Sequence, residues 1–237
     1  MKILFIGNGI IRGTIGVDYI SFLAFKYPHW QIENAGVNGD TLTKISQRLI
    51  KKLNTNAAYD AIVFEAGYND IILPSFAHKG FLFRQTLKKL QEKGYNPLIS
   101  PTDFENSYRA IIGHVQATCR AKVILTTMGC INENLQSELN AKRMIFNNII
   151  RQVAKDFNCA LADVSVKFDK ILKQQQTRDY LMEDFFNTTY LDWLRTKFLN
   201  GADTLSRKRN LHLTINGMHL NSRGAEIFMK QIEKHLV

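Results

Sequence analysis

Ile3-Leu4-Phe5-Ile6-Gly7-Asn8-Gly9 is an apolar run that stops in a glycine-rich turn. A strand ending this way delivers backbone to a site at the edge of an α/β sheet. Four more short segments read as buried strands: residues 30–33, ahead of Asn34-Ala35-Gly36; residues 61–65, ahead of Gly67-Tyr68-Asn69-Asp70; residues 122–126; and residues 159–164. Most are continuous apolar runs without alternation, as in a parallel sheet covered on both faces.

Helical periodicity separates them. Ile20, Leu23 and Ala24 share a face before Pro28, and Leu42, Ile45, Leu49 and Leu53 recur at three- and four-residue steps. Leu135, Leu139, Ile145, Ile149, Val153 and Phe157 do the same, and a last stripe of Phe228, Ile232 and Leu236 follows Asn221 or Ser222 as N-cap. Alternating strands and helices predict right-handed crossovers and a three-layer αβα sandwich. Two stretches break the rhythm. Residues 71–103 carry Pro74, Gly80, Gly94, Pro97 and Pro101 around a possible helix at 84–93, and residues 176–213 are rich in aromatics. Both lie where lids and substrate walls are built. The aromatics at 180–198 read as docking an extra helix on the core, or as a partner surface.

At 237 residues, the expectation is one domain over 1–237 with those two irregular insertions. With 45% hydrophobic and 22% charged residues, and no apolar run near the roughly 18 a membrane span needs, the chain reads as cytoplasmic and without a signal peptide. Cys119, Cys130 and Cys159 are odd in number and widely spaced, which fits free thiols; no zinc-type spacing occurs. The net charge of +10 favours anionic partners, yet the basic residues are dispersed. Arg207-Lys208-Arg209, the one tight cluster, reads as a solvated loop, so no nucleic acid is expected. Asp40, Asp70 and Asp163 sit near strand ends without metal-ligand spacing. Asp70 is expected to orient its loop, and His212 to lie on a surface loop.

Three short patterns fall at predicted strand ends: Gly7-Asn8-Gly9, the run Asn34 to Thr41, and Gly67-Tyr68-Asn69-Asp70. A fourth, Asn216-Gly217-Met218-His219-Leu220-Asn221, leads into the terminal helix. In that order they resemble the SGNH or GDSL hydrolases, a family of serine esterases, lipases and deacetylases, over residues 3 to about 230. The resemblance implies a flavodoxin-like fold with a five-stranded parallel sheet in the order 2-1-3-4-5. It also implies roles. The nucleophilic serine of Gly-Asp-Ser corresponds to Gly9 and its aspartate to Asn8. The block II glycine, an oxyanion donor, corresponds to Gly39, and the block III asparagine to Asn69. The final Asp-x-x-His corresponds to Asn216 and His219.

Nucleophile and triad acid are thus both replaced. Gly9 can form no acyl-enzyme, but its N–H, the Gly39 N–H and the Asn69 amide remain as three donors for an oxygen anion. The expected function is a catalytically impaired ester hydrolase homologue that binds a small acyl, ester or carboxylate ligand, with no cofactor and no metal. One alternative keeps turnover, with His219 activating a water, or a hydroxyl of Thr14, Thr41 or Ser222 standing in. Another is nucleotide binding, because Gly7-x-Gly9-x-x-x-Gly13 looks like a phosphate turn and Glu33 lies near a ribose-binding position.

Overall fold

The computed structural model describes residues 1–55, 58–199 and 201–237. In chain order the elements are β1 (Lys2–Gly7), α1 (Gly9–Arg12), α2 (Tyr19–Lys26), β2 (Gln31–Gly36), α3 (Leu42–Asn54), β3 (Ala61–Phe64), α4 (Tyr68–Ser75), α5 (Phe81–Glu92), α6 (Pro101–Thr118) and β4 (Lys122–Thr126). Then come α7 (Glu138–Asp156), β5 (Ala160–Ala162), α8 (Val164–Leu172), α9 (Asp192–Phe198), α10 (Ala202–Lys208) and α11 (Ser222–Glu233).

The five strands form one parallel sheet in the order β2-β1-β3-β4-β5. Ile3 to Ile6 and Ile62 to Phe64 are fully buried, because helices cover both faces of these central strands. One helical layer packs α3, α6 and α7 together; the other packs α2, α8 and α11. Strand order reverses between β1 and β3, so the crevice beyond their C-terminal ends is where an open α/β sheet places its ligand.

Local chemistry sets the boundaries. Asp18 starts α2 by accepting from Ile20 N at 3.0 Å and Ser21 N at 3.2 Å, and Asn221 starts α11 by accepting from Gly224 N at 2.9 Å. Several expected elements shift. β2 begins at Gln31 and runs through Gly36, so Asn34-Ala35-Gly36 is strand and pairs with Phe5, Ile6 and Gly7. β5 is trimmed to three residues, and α5 starts at Phe81, ahead of residue 84. Gly67-Tyr68-Asn69-Asp70 is a cap and the first turn of α4. The 18-residue α6 was not anticipated. Its stripe of Phe104, Tyr108, Ile111, Ile112 and Val115 is buried, and Ser100-Pro101 forms its N-cap and N1. Among the described residues no helix is long and apolar enough to cross a membrane.

Candidate functional site

The floor of the crevice is built by β1 and β3. A Cβ on Gly7 would stand 2.6 Å from Ile11 Cγ1 and 2.8 Å from the Glu65 carbonyl oxygen, so only glycine lets the two strand ends approach. Asn8 then caps α1, its Oδ1 accepting from Ile10 N at 2.9 Å, while its Nδ2 donates to Glu65 Oε1 at 2.8 Å. Burial pushes the Glu65 carboxyl up to about 8. Asn8 is therefore more than a neutralised aspartate: a carboxylate in its place would face a second buried carboxyl. Gly9 is different from Gly7. Its φ lies outside the left-handed region, and a Cβ there would meet only side chains, Asn38 Oδ1 at 3.2 Å and His219 Nε2 at 3.7 Å. No backbone constraint requires glycine at this position, and a side chain on it would point at the imidazole.

The loop after β2 is tied down from two sides. The Arg48 guanidinium pairs with the Asp40 carboxylate and donates to Gly7 O at 2.8 Å and Ala35 O at 3.1 Å. Asp70, in the first turn of α4, holds other segments and not a loop of its own: it accepts from Leu42 N at the start of α3 and from Leu98 N ahead of α6, both at 2.9 Å. Asn69 Nδ2 donates to Asp40 O at 2.9 Å, which spends one hydrogen of its amide and leaves the other. Gly39, at φ +82, turns the loop at a torsion only glycine takes readily. Among the described residues no protein acceptor takes the Gly9 or Gly39 N–H.

The third component is the loop before α11. Buried Glu133 clamps it, accepting from His212 N at 2.6 Å, Leu213 N at 2.8 Å, and Thr214 N and Oγ1 at 2.7 Å each. Asn216 Oδ1 accepts from His219 N at 3.1 Å and lies 3.1 Å from His219 Nδ1. Since an amide oxygen only accepts, Nδ1 carries the proton and Nε2 presents a lone pair toward Gly9. Burial lowers the imidazole to about 4, so it is neutral at pH 7. Behind Asn216, its Nδ2 faces Asp192 Oδ2 at 3.5 Å, and Asp192 takes both arms of Arg209 at 2.8 Å. Asp192 fixes which way the Asn216 amide points. Neither Asp192 nor Glu133 was singled out in the sequence, since no local pattern marks a carboxylate that acts on a loop 24 or 80 residues away. Arg209 is no part of a solvated loop, because its guanidinium is largely buried.

Gly9, Gly39, Asn69 and His219 line one pocket of about 290 Å³. Its other walls are mainly apolar, Ile72 and Leu73 from α4, Phe83 and Leu90 from α5, and Met182 and Phe185 from the aromatic stretch, with Thr86, Thr188 and Thr189 among them. The two irregular stretches therefore face each other, with Phe83 and Phe185 stacked edge-on at 5.2 Å. None of the substitute hydroxyls lies in this lining: Thr14 and Ser222 line a separate cleft beside α9, and Thr41 is buried at the start of α3. Nor does the nucleotide reading survive. α1 is a single turn closed by Gly13 at φ +65, too short to present a helix N-terminus to a pyrophosphate, and Glu33 is engaged by Lys52 and by the Tyr59 hydroxyl at 2.6 Å. His212 is half-buried, its Nε2 3.1 Å from Gln176 O, and the three cysteines are free. Among the described residues no three His, Cys, Asp or Glu side chains converge as metal ligands.

The model of the GDSL-like lipase/acylhydrolase family matches residues 13–227, beginning just past the β1 turn. No curated protein sequence matches the chain. Solved structures share the fold at low identity. An acetyl xylan esterase, AlAXEase, superposes with a TM-score of 0.68 at 20% identity, each chain covered in full. Axe2, an acetylxylan esterase from Geobacillus stearothermophilus, gives 0.65 at 17%, covering 99% of this chain and 93% of that one. LAE5, an α/β hydrolase from a Lake Arreo metagenome, gives 0.63 at 17%, covering 98% and 93%.

Proposed function

The chain belongs to the GDSL-like lipase/acylhydrolase family, and from that premise we propose that it is an impaired member, one that binds an acyl carboxylate or ester without efficient turnover. The observation that carries this is the space at Gly9, where a β-carbon would face His219 Nε2 at 3.7 Å with no backbone reason for its absence. The Gly9 and Gly39 N–H groups and the free hydrogen of the Asn69 amide are left to hold an oxygen anion. Asn216 holds the imidazole but supplies no charge to stabilise it once protonated.

Two of the three solved neighbours are described as acetyl xylan esterases, but the walls here favour an alkyl chain over a sugar. Ile72, Leu73, Phe76, Phe83 and Phe185 offer apolar surface and few hydrogen bonds. Each methylene buried there contributes about 0.8 kcal/mol, or roughly fourfold in affinity. Titration with a series of linear carboxylates from acetate upward tests the proposal. Affinity is expected to climb about fourfold per carbon until the pocket is full, and to fall at least about tenfold in Asn69→Ala. Equal binding of all chain lengths, or an affinity indifferent to Asn69→Ala, refutes it.

A second reading is favoured by the neutral imidazole. With Nε2 unprotonated above Gly9, a water in the space of a serine hydroxyl has a base beside it. Slow ester hydrolysis that is lost in His219→Ala but retained at low pH, down toward 4, identifies this route.

A further inference from the structure

Residues 185–198 form one continuous helical stretch, a π-helical segment at Asn187–Leu191 running into α9. Its amphipathicity is inverted. After Phe185, which packs inward on Phe83, the buried side chains are polar: Thr188 and Asp192 are buried and Thr196 half-buried, at steps of four. Five large apolar side chains turn outward, Phe186 (56% exposed), Tyr190, Trp193, Leu194 and Phe198 (64% exposed), alongside Thr189, Arg195 and Lys197. A helix on a globular surface does the opposite. The outward rings contact one another, Phe186 with Tyr190 at 5.3 Å and Trp193 with Phe198 at 5.6 Å, and so make a continuous patch. Phe81 and Leu82 at the start of α5 are also exposed, next to the Phe83 that meets Phe185. The stretch and the start of α5 thus both present bare apolar side chains to solvent.

We infer that this face docks on an anionic lipid surface. Charge decides the occupant. Arg195 and Lys197 are exposed beside the patch, Lys197 at the rim of a cleft that also holds Asp18 and Asp203, and neither enters an ion pair among the described residues; the carboxylates nearby are engaged, Asp192 buried under Arg209, Glu183 on Arg178 and Asp184 capping Asn187 N. Aromatic and leucine side chains flanked by basic residues are what an interfacial helix offers to anionic headgroups. A two-fold partner made of a second copy would instead gather the Arg195 and Lys197 of both copies into one interface. The net charge of +10 steers the whole molecule the same way. The inference stands apart from turnover and from carboxylate binding, since it rests on the outer face alone.

The test is sedimentation and tryptophan emission with vesicles of phosphatidylcholine, alone or mixed with equal parts of phosphatidylglycerol. The protein is expected to sediment with the mixed vesicles, and Trp193 emission to shift to the blue, while Trp30, buried against Tyr27, stays constant. Arg195→Gln with Lys197→Gln is expected to weaken binding at least about tenfold on mixed vesicles. Phe186→Ser with Phe198→Ser is expected to abolish the emission shift without lowering Tm, because both side chains are exposed. Failure to sediment with either vesicle overturns the inference. So does a dimer in solution that Phe198→Ser dissociates and lipid does not, which assigns the face to a second copy.

Discussion

Replacing Gly9 by serine is the most direct test of the vacated nucleophile. The backbone accepts the change: φ is ordinary, and the new Cβ sits 3.2 Å from Asn38 Oδ1, a side-chain atom able to yield a few tenths of an ångström. Serine is also the better helix former, by a few tenths of a kcal/mol. The net change in stability is expected within about 1 kcal/mol, or roughly 3 °C in Tm for a chain of this size. From a Cβ 3.7 Å from His219 Nε2, one further bond brings Oγ into hydrogen-bond reach of the imidazole, about 2.6–3.2 Å. Losing the serine of a triad costs about 2 × 10⁶ in kcat, and an asparagine in place of its aspartate about 10⁴. With Asn216 still present, Gly9→Ser should therefore raise ester hydrolysis by about 10². Adding Asn216→Asp should raise it again, by less than the full 10⁴ because the new carboxylate stands beside Asp192, 3.5 Å from the present amide nitrogen. The assay is p-nitrophenyl butyrate hydrolysis, with an initial burst and a mass increase of one acyl group. A Gly9→Ser protein that keeps its Tm and its carboxylate affinity, yet shows neither burst nor adduct, refutes the placement of Gly9 at the reacting centre.

Two other perturbations read the buried charges. Glu65, held up at about 8 against an ordinary 4.5, contributes stability that is full below about 4.5 and is lost as pH rises toward 8, on the order of 4 kcal/mol. Glu65→Gln keeps an acceptor for Asn8 but cannot ionise, so its Tm should gain on the parent protein between about pH 5 and 8 and level off above that, by calorimetry; a pH-independent difference counts against the buried carboxyl. His219, lowered to about 4, acts with the opposite sign, its contribution being full above about 6.5 and lost on acidification toward 4. Asp192→Asn leaves the Arg209 guanidinium buried without its carboxylate, at a cost of about 3–5 kcal/mol, and Asp192→Leu with Arg209→Met should recover most of it. An unchanged Tm in Asp192→Asn would falsify the coupling of that pair to the fold.

Much of the scaffold was legible because parallel strands write themselves as short apolar runs: Ile3–Ile6 and Ala61–Phe64 are buried on both faces and cannot hide. The order of the strands came from family resemblance, since periodicity alone cannot say which neighbour a strand chooses. Gly9, Gly39, Asn69 and His219 were legible as a set only through the same resemblance, because each pattern by itself is no more than a turn or cap signal; they line one pocket. The supports were not. Glu133, Asp192 and Arg48 act across loops far from them in sequence, and a carboxylate that will accept backbone N–H groups looks like any surface acid until the chain folds. β2 was misplaced because its last residues, Asn34-Ala35-Gly36, look like a turn; tertiary pairing with β1 overrides that preference. The aromatics at 180–198 deceived in another way. Tyr180 and Phe185 do pack inward, but Phe186, Tyr190 and Phe198 turn to solvent, and apolar composition alone cannot tell a docked face from a docking one.

The attachments of Arg48 divide the pocket into parts that can be altered separately. One guanidinium grips the ends of β1 and β2 and the Asp40 carboxylate, and Asp40 in turn receives Asn69, so the polar floor is a single braced unit. The apolar wall side chains, Ile72 and Leu73 from α4, Phe83 and Leu90 from α5, and Met182 and Phe185, make no hydrogen bond in the bracing around Arg48, although α4 also carries Asn69. A protein engineer can therefore exchange the walls as a module, lengthening or narrowing the chamber to suit another guest, while the anchoring chemistry beneath stays as it is.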